Sequence, residues 1–171
     1  MSGVNYNEGM LALRFAGLLA VAVWFGGLLT LGAVAAPAVF DGTAARQMAE
    51  PRAVAGALVG EILRRFHVVA YVCGGVILAT LALRAVLGPR PRYFRTRMTV
   101  ASGMLAAALY SGFMLTGRIE RLRQEIGVAP SSLRDDDPRR IEFGRLHARS
   151  TVVQLVPLMG SLVLLISELK D

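Results

Sequence analysis

Four long apolar runs organise the chain, each bounded by charges or by helix-breaking residues. The first, 11–40, is interrupted only by Arg14. At ~1.5 Å per residue it exceeds the ~20 residues that cross the hydrocarbon of a bilayer, so it must tilt or project beyond the membrane. The second, 66–87, stops at Gly88-Pro89-Arg90-Pro91, where glycine and proline end a helix. Ahead of it, 53–65 is apolar on one face and broken by Glu61, Arg64 and Arg65, with Pro51 suited to a first helical turn. This stretch predicts an amphipathic helix that leads into the span or continues it. The third run, 98–117, keeps its period through Arg118-Ile119-Glu120-Arg121-Leu122-Arg123 to Ile126, before Gly127 and Pro130 end it. The fourth, 151–166, follows a charged helical lead-in from about Pro138, with Asp137 placed to cap it. Residues 131–138 are expected to form the one real loop.

The fold class predicted is all-α: an integral membrane four-helix bundle, one domain over 1–171, with helical extensions beyond the bilayer. Composition agrees. Of the 171 residues 54% are hydrophobic and only 18% charged, against about a quarter charged in a soluble domain. Disorder is excluded by the apolar content, and a disulfide scaffold by the single cysteine, Cys73. Residues 1–10 carry Glu8 and no basic residue, and the first run is too long for a signal peptide, so it is expected to be a retained span. A soluble bundle would need another reason for such long uncharged runs.

Net charge is +7, and Lys170 is the only lysine. The arginines lie between and at the ends of the apolar runs, where membrane proteins meet headgroups, and no nucleic-acid reading module is present. The expected partner is therefore the lipid bilayer, with no nucleic acid. The expected location is the plasma (inner) membrane, multi-pass, with both termini on one side. Residues 84–97 hold five arginines and no acid, whereas the other two connections together hold more. These counts point opposite ways, and no side is assigned.

Four spans bring the start of spans two and four to the face where span three ends. His67, His147, Arg118 and Glu120 are thus expected at similar depth. In span four, His147, Ser150, Gln154, Pro157 and Ser161 fall on one helical face. That stripe should turn inward, either as interhelical glue or as the lining of a ligand cavity. His67 and His147, the only histidines, are candidate cofactor or metal ligands, for haem iron or for copper or zinc. The bland alternative is that each bonds a carboxylate or backbone carbonyl. Met104, Met114 and Met159 are read as packing rather than as thioether ligands. Small residues (Gly26, Gly27, Thr30, Gly32, Ala36, Gly74, Gly75, Ser102, Gly103, Gly112) suit close helix approach. Arg118, Glu120 and Arg121 facing Glu142 and Arg145 are expected mainly as solvated helix faces, with salt-bridged helix ends or an anion-attracting vestibule as the alternatives. No phosphate loop, Ser/His/Asp set or metalloprotease helix is present.

Trp24-Phe25-Gly26-Gly27 followed by Ala36-Pro37-Ala38-Val39-Phe40 resembles the first span of the transmembrane-protein-205-like family, a domain of unknown function (DUF4149). Arg118-Ile119-Glu120 and Phe143-Gly144-Arg145-Leu146-His147-Ala148-Arg149-Ser150 are similar to its later signature, with Gln154 in place of the usual asparagine. The resemblance implies four spans, and a distant likeness to the CopD copper-resistance group and to a haem-binding four-helix protoporphyrinogen oxidase. It brings haem b and copper in as possible cofactors at His67 or His147, and a link to platinum-drug resistance that hints at solute or metal handling. The leading expectation is a non-enzymatic membrane protein that binds or moves a small solute or metal ion. Its polar pocket would be built from Trp24, Arg118, Glu120, Arg145, Ser150, Gln154 and the histidines. A haem-bearing redox protein and an accessory subunit of a larger membrane complex, or a homo-oligomer, are the other readings.

Overall fold

The computed structural model of the chain describes residues 2–47 and 50–170, the first five of these as backbone only. Among the described residues there are four long helices and no strand. Helix α1 covers 2–45: an α-helix Ser2–Thr30, a π-helical turn Leu31–Ala35, and a second α-helical stretch Ala36–Ala45. Helix α2 is Pro51–Leu87, α3 is Phe94–Ile126 with its own π-helical turn at Tyr110–Thr116, and α4 is Pro138–Glu168. A short 3-10 turn, Pro130–Ser132, lies between α3 and α4. All four helices are long and apolar enough to cross a membrane.

The helix ends follow from local chemistry. Pro51 opens α2, and Gly127, at φ +70°, closes α3 in the left-handed region that glycine tolerates. The Asp137 carboxylate accepts from the Arg139 N–H at 2.8 Å and caps α4. The π turn in α1 has a cause in Pro37. That residue cannot donate to the carbonyl four residues back, and its ring would press on it. The widened turn, closed by the Ala36 N–H on the Leu31 carbonyl, makes the room. The expected extensions are continuous with the spans, and the helices run further than expected at both ends of the first span and around the third.

Packing runs around a ring: α1 on α2, α2 on α3, α3 on α4, and the first part of α1 on α4. The membrane layer can be read from charge. Stretches free of Asp, Glu, Lys and Arg cover 66–83, 98–117 and 150–167, each about 27–30 Å long on a helix, the thickness of bilayer hydrocarbon. Trp24, Ala70, Cys73, Ile77, Ala101, Met104, Ala108 and Leu164 form the core inside that layer. Several glycines set the helix spacing. A Cβ at Gly74 would lie 2.8 Å from Leu105 and 3.2 Å from Trp24, and one at Gly160 2.6 Å from Met104. Gly27 seats the Phe66 ring, and Gly112 the Tyr71 hydroxyl and the edge of His67. By contrast Gly26, Gly75 and Gly103, expected to act likewise, meet nothing within 4 Å. A second core, Leu115, Leu122, Ile126 and Leu146, joins the α3 and α4 extensions.

At the end where the chain termini meet the α2–α3 turn, Glu168 of α4 gathers an arginine from each other helix. Arg14 lies at 2.8 Å, Arg84 at 3.0 Å and Arg97 at 2.6 Å. Arg97, 2% exposed, also donates to the Ser167 carbonyl. Breaking a buried ion pair from one side costs about 3–5 kcal/mol. Glu168→Ala should therefore lower stability by about that amount in a denaturant titration of the detergent-solubilised protein, and Glu168→Gln by less. A variant as stable as the parent would show that this cluster does not hold the bundle end. Overpacking gives a second test. Gly74→Val should cost about 1–3 kcal/mol, whereas Gly75→Ala should be neutral or stabilising; equal effects would refute the close-approach role.

Candidate functional site

Beyond the membrane layer the ring comes apart into two pairs. The Ala36–Ala45 part of α1 stays on α2, and the Gly117–Ile126 part of α3 stays on α4 through the second core. Between the pairs lies a cleft of about 1240 Å³ lined by all four helices. Its inner wall is apolar: Leu28 and Leu31 of α1, Leu155 and Leu158 of α4. Its outer rim carries Arg52, Arg64, Arg123 and Arg140 with Glu61 and Glu120, an excess of positive charge. Gly32, Gly56, Gly60, Gly117 and Gly144 line it as well, and they leave space where larger residues would fill it.

Arg123 is the most enclosed of these rim cations, with 17% of its side chain exposed. It reaches from α3 onto α2 and lies over Gly56 and Gly60, whose added Cβ atoms would stand 3.4 and 3.1 Å from its guanidinium nitrogens. Among the described residues it pairs with Glu120 at 3.1 Å. Sequence reasoning had not singled out this seat. The signal was present as Gly56-x-x-x-Gly60, a spacing that flattens one helix face. Glu61 on the facing helix is held by Arg64 at 2.8 Å and Arg65 at 2.7 Å.

The expected single pocket proves to be three places. Glu120, His147, Ser150 and Gln154 line the cleft. Trp24, 1% exposed, lines an inner void of about 10 Å³ with His67, Ser111 and Gln154. Arg118 and Arg145 line neither; they border a separate hollow on the outer face of α3 and α4. The cause is helical phase, because Arg145 lies about 160° around α4 from His147. Among the described residues no ion pair joins the α3 and α4 ends; Glu120 accepts from Arg123 and Gln124 within α3. The inward polar stripe of α4 holds: Ser150, Pro157 and Ser161 are buried and Gln154 half-buried. The Ser161 hydroxyl donates to the Pro157 carbonyl at 2.7 Å.

The histidines occupy the same half of the bundle at different levels. His67 is buried, with Nδ1 2.9 Å from the Leu63 carbonyl, and its ring edge faces Gly112, about 9 Å along α3 on the membrane side of Arg118. His147 is exposed at the cleft and stacks on Phe143, ring centroids 6.2 Å apart. The two imidazoles thus address different cavities, and the void beside His67 holds about one water, far less than a haem needs. Among the described residues no three His, Cys, Asp or Glu side chains come together as a metal site. Met104 is fully buried in packing, while Met114 and Met159 are exposed. The geometry gives no support to a paired-histidine haem or copper centre. The Ser111 hydroxyl is buried at that void without a hydrogen-bond partner among the described residues.

The family model of a domain of unknown function, DUF4149, matches residues 19–127. The chain belongs to the DUF4149 family. The match takes in α1 from its second turn inside the membrane, all of α2 and all of α3. It ends before α4, so the α4 motif at 143–150 lies outside it. No curated protein and no solved structure matches the chain. In this DUF4149 protein the α1–α2 wall and the Arg123 seat fall within the matched region, and the His147–Gln154 wall does not.

The cap of α4 sets the pose of that second wall and is open to a pH test. Arg139 holds the Asp137 carboxyl below its ordinary value of 3.8, first through the side-chain hydrogen bond and then through its backbone N–H. A depressed carboxylate pKa stabilises the folded form above the ordinary value, and the effect is lost as pH falls through the lowered one. Asp137→Ala should speed amide exchange at Arg139 and the next turn near neutral pH. The gap from the parent protein should close on acidification below the usual carboxylate range. A gap that persisted unchanged in acid would remove the carboxylate from this role.

Proposed function

We propose that this membrane protein has a binding role, and that the cleft takes a small solute with an acidic group and an apolar body. The observation that carries the reading is Arg123, enclosed on a glycine seat at the mouth of a cavity whose far wall is leucine. A largely enclosed guanidinium is a good partner for a carboxylate or phosphate, which would share it with Glu120. The leucines at Leu28, Leu31, Leu155 and Leu158 favour an alkyl or aromatic body by burial. His147, Ser150 and Gln154 offer hydrogen-bonding groups between the two ends. The cleft volume of about 1240 Å³ exceeds the usual range for drug-sized ligands, which suits an amphiphile better than a bare ion.

The protein carries its own reporter, because Trp24 is the only tryptophan and lines the void that shares Leu28, Leu63 and Gln154 with the cleft. A dodecanoate brominated at its tail, titrated into the detergent-solubilised protein, should quench Trp24 saturably. The same tail on a trimethylammonium head should quench only in proportion to its concentration. Arg123→Ala should weaken the saturable phase by about tenfold or more, the range of a hydrogen bond to a charged group. Equal behaviour of the two amphiphiles, or an unaffected variant, would overturn the reading.

A further inference from the structure

We propose that the hollow on the outer face of α3 and α4 binds the phosphate of an anionic phospholipid from the surrounding leaflet. The hollow, about 530 Å³, is bordered by Arg118 of α3 and by Arg145 and Arg149 of α4. It is distinct from the cleft and does not depend on what the cleft holds.

Its level in the membrane is set by the sequence. Arg118 directly follows the uncharged stretch of α3, and Arg149 directly precedes that of α4, so both stand where hydrocarbon gives way to headgroups. Arg145 is one turn further out. Among the described residues these three arginines make no ion pair or hydrogen bond with another protein group. Their neighbours are engaged: Arg121 donates to the Gly117 carbonyl, Arg123 to Glu120, Arg139 to Asp137 and Arg140 to the Leu133 carbonyl. Three unengaged guanidinium groups around one hollow match the fork geometry of a phosphate. Glu142 also borders the hollow, less than one turn outward from Arg145 and about two turns from Arg149, so Arg118 and Arg149 at the edge of the uncharged stretches carry most of the phosphate's hold.

The same face continues downward as an apolar track. On α4 the positions Arg145, Arg149, Val152, Val156, Met159 and Val163 lie within about 80° of one another. The four apolar ones are exposed, Val152 at 62%. A diacyl lipid with its phosphate on the arginines would lay a chain along this stripe. That continuity selects a lipid over a free anion, for which the stripe has no use. Basic pockets between spans are a recurrent form of headgroup recognition.

The test uses the whole protein in mild detergent, with native mass spectrometry after adding phosphatidylglycerol or phosphatidylcholine with identical acyl chains. The phosphatidylglycerol adduct should form with about tenfold higher apparent affinity. Arg118→Gln and Arg149→Gln should each cost it about fivefold, the effect of one basic residue at an anionic surface, and Arg145→Gln less. The double variant Arg90→Gln and Arg95→Gln, at the opposite end of the bundle, should keep the preference. Equal retention of the two lipids by the parent protein would overturn the proposal without recourse to any variant. So would an equal loss in the Arg90/Arg95 variant, or displacement of the lipid by low-millimolar inorganic phosphate.

Discussion

The architecture depends on a charge cluster at one end of the bundle. Among the described residues Glu168, on the last turn of α4, pairs with Arg14, Arg84 and Arg97, one from each of the other helices. Inside a bilayer, apolar side chains gain nothing by leaving lipid for one another, so helix association rests on close packing and on polar contacts. A charge cluster at one end therefore fixes what the apolar faces cannot: which helices are neighbours, and at what level each stops. It suits its place too, since the negative end of the α4 dipole favours the cations gathered there. With that end held, the other end is free to part.

The glycines show how the same residue type serves both ends. Within the closed part, Gly27, Gly74, Gly112 and Gly160 are occupied by the side chains of Phe66, Leu105 with Trp24, Tyr71 and Met104; there the missing side chain brings helices together. Toward the open end, Gly32, Gly117 and Gly144 line the cleft, and the missing side chain keeps it open. Gly56 and Gly60 do something between the two, giving Arg123 a flat surface to cross. What separates these cases is whether a large residue of the next helix stands opposite.

Much of the fold was legible because charge and apolar runs act locally. The four long apolar helices, the stop at Gly88, the Asp137 cap and the continuation of α2 back to Pro51 all follow from local residues. The α1 overrun was not legible in the same way: the π turn before Pro37 lets the helix pass a proline that would otherwise end it. The site was half legible. The inward stripe of α4 follows from its spacing alone, but His67 and His147 do not share a depth, because His67 lies inside its uncharged stretch and His147 lies three residues before its own. Arg118 and Arg145 were placed in the pocket because they are near it in sequence, whereas a few residues of helix turn them outward. The Glu168 cluster joins residues as far apart as 14 and 168. Only the rule that a lone ion at the edge of a span needs a partner would have led to it.

The two faces of α4 together favour an amphiphile as the solute of the cleft. Leu28 and Leu158 lie within the membrane layer, so a ligand touching them must come either past the arginine rim from water or sideways between α1 and α4. A bare ion taking the sideways route would lose its hydration in hydrocarbon, at an expense of many kcal/mol. A polar solute entering from water would meet leucines with nothing to offer them. An amphiphile resting in the leaflet already has its acidic group at the level of Arg118 and Arg149 and its tail at the level of Leu155. On the two proposed sites, its head would stay at the interface and its body out of water on either face of α4. The arrangement of α4, polar inward and basic over valine outward, is what the two proposals together require of one helix.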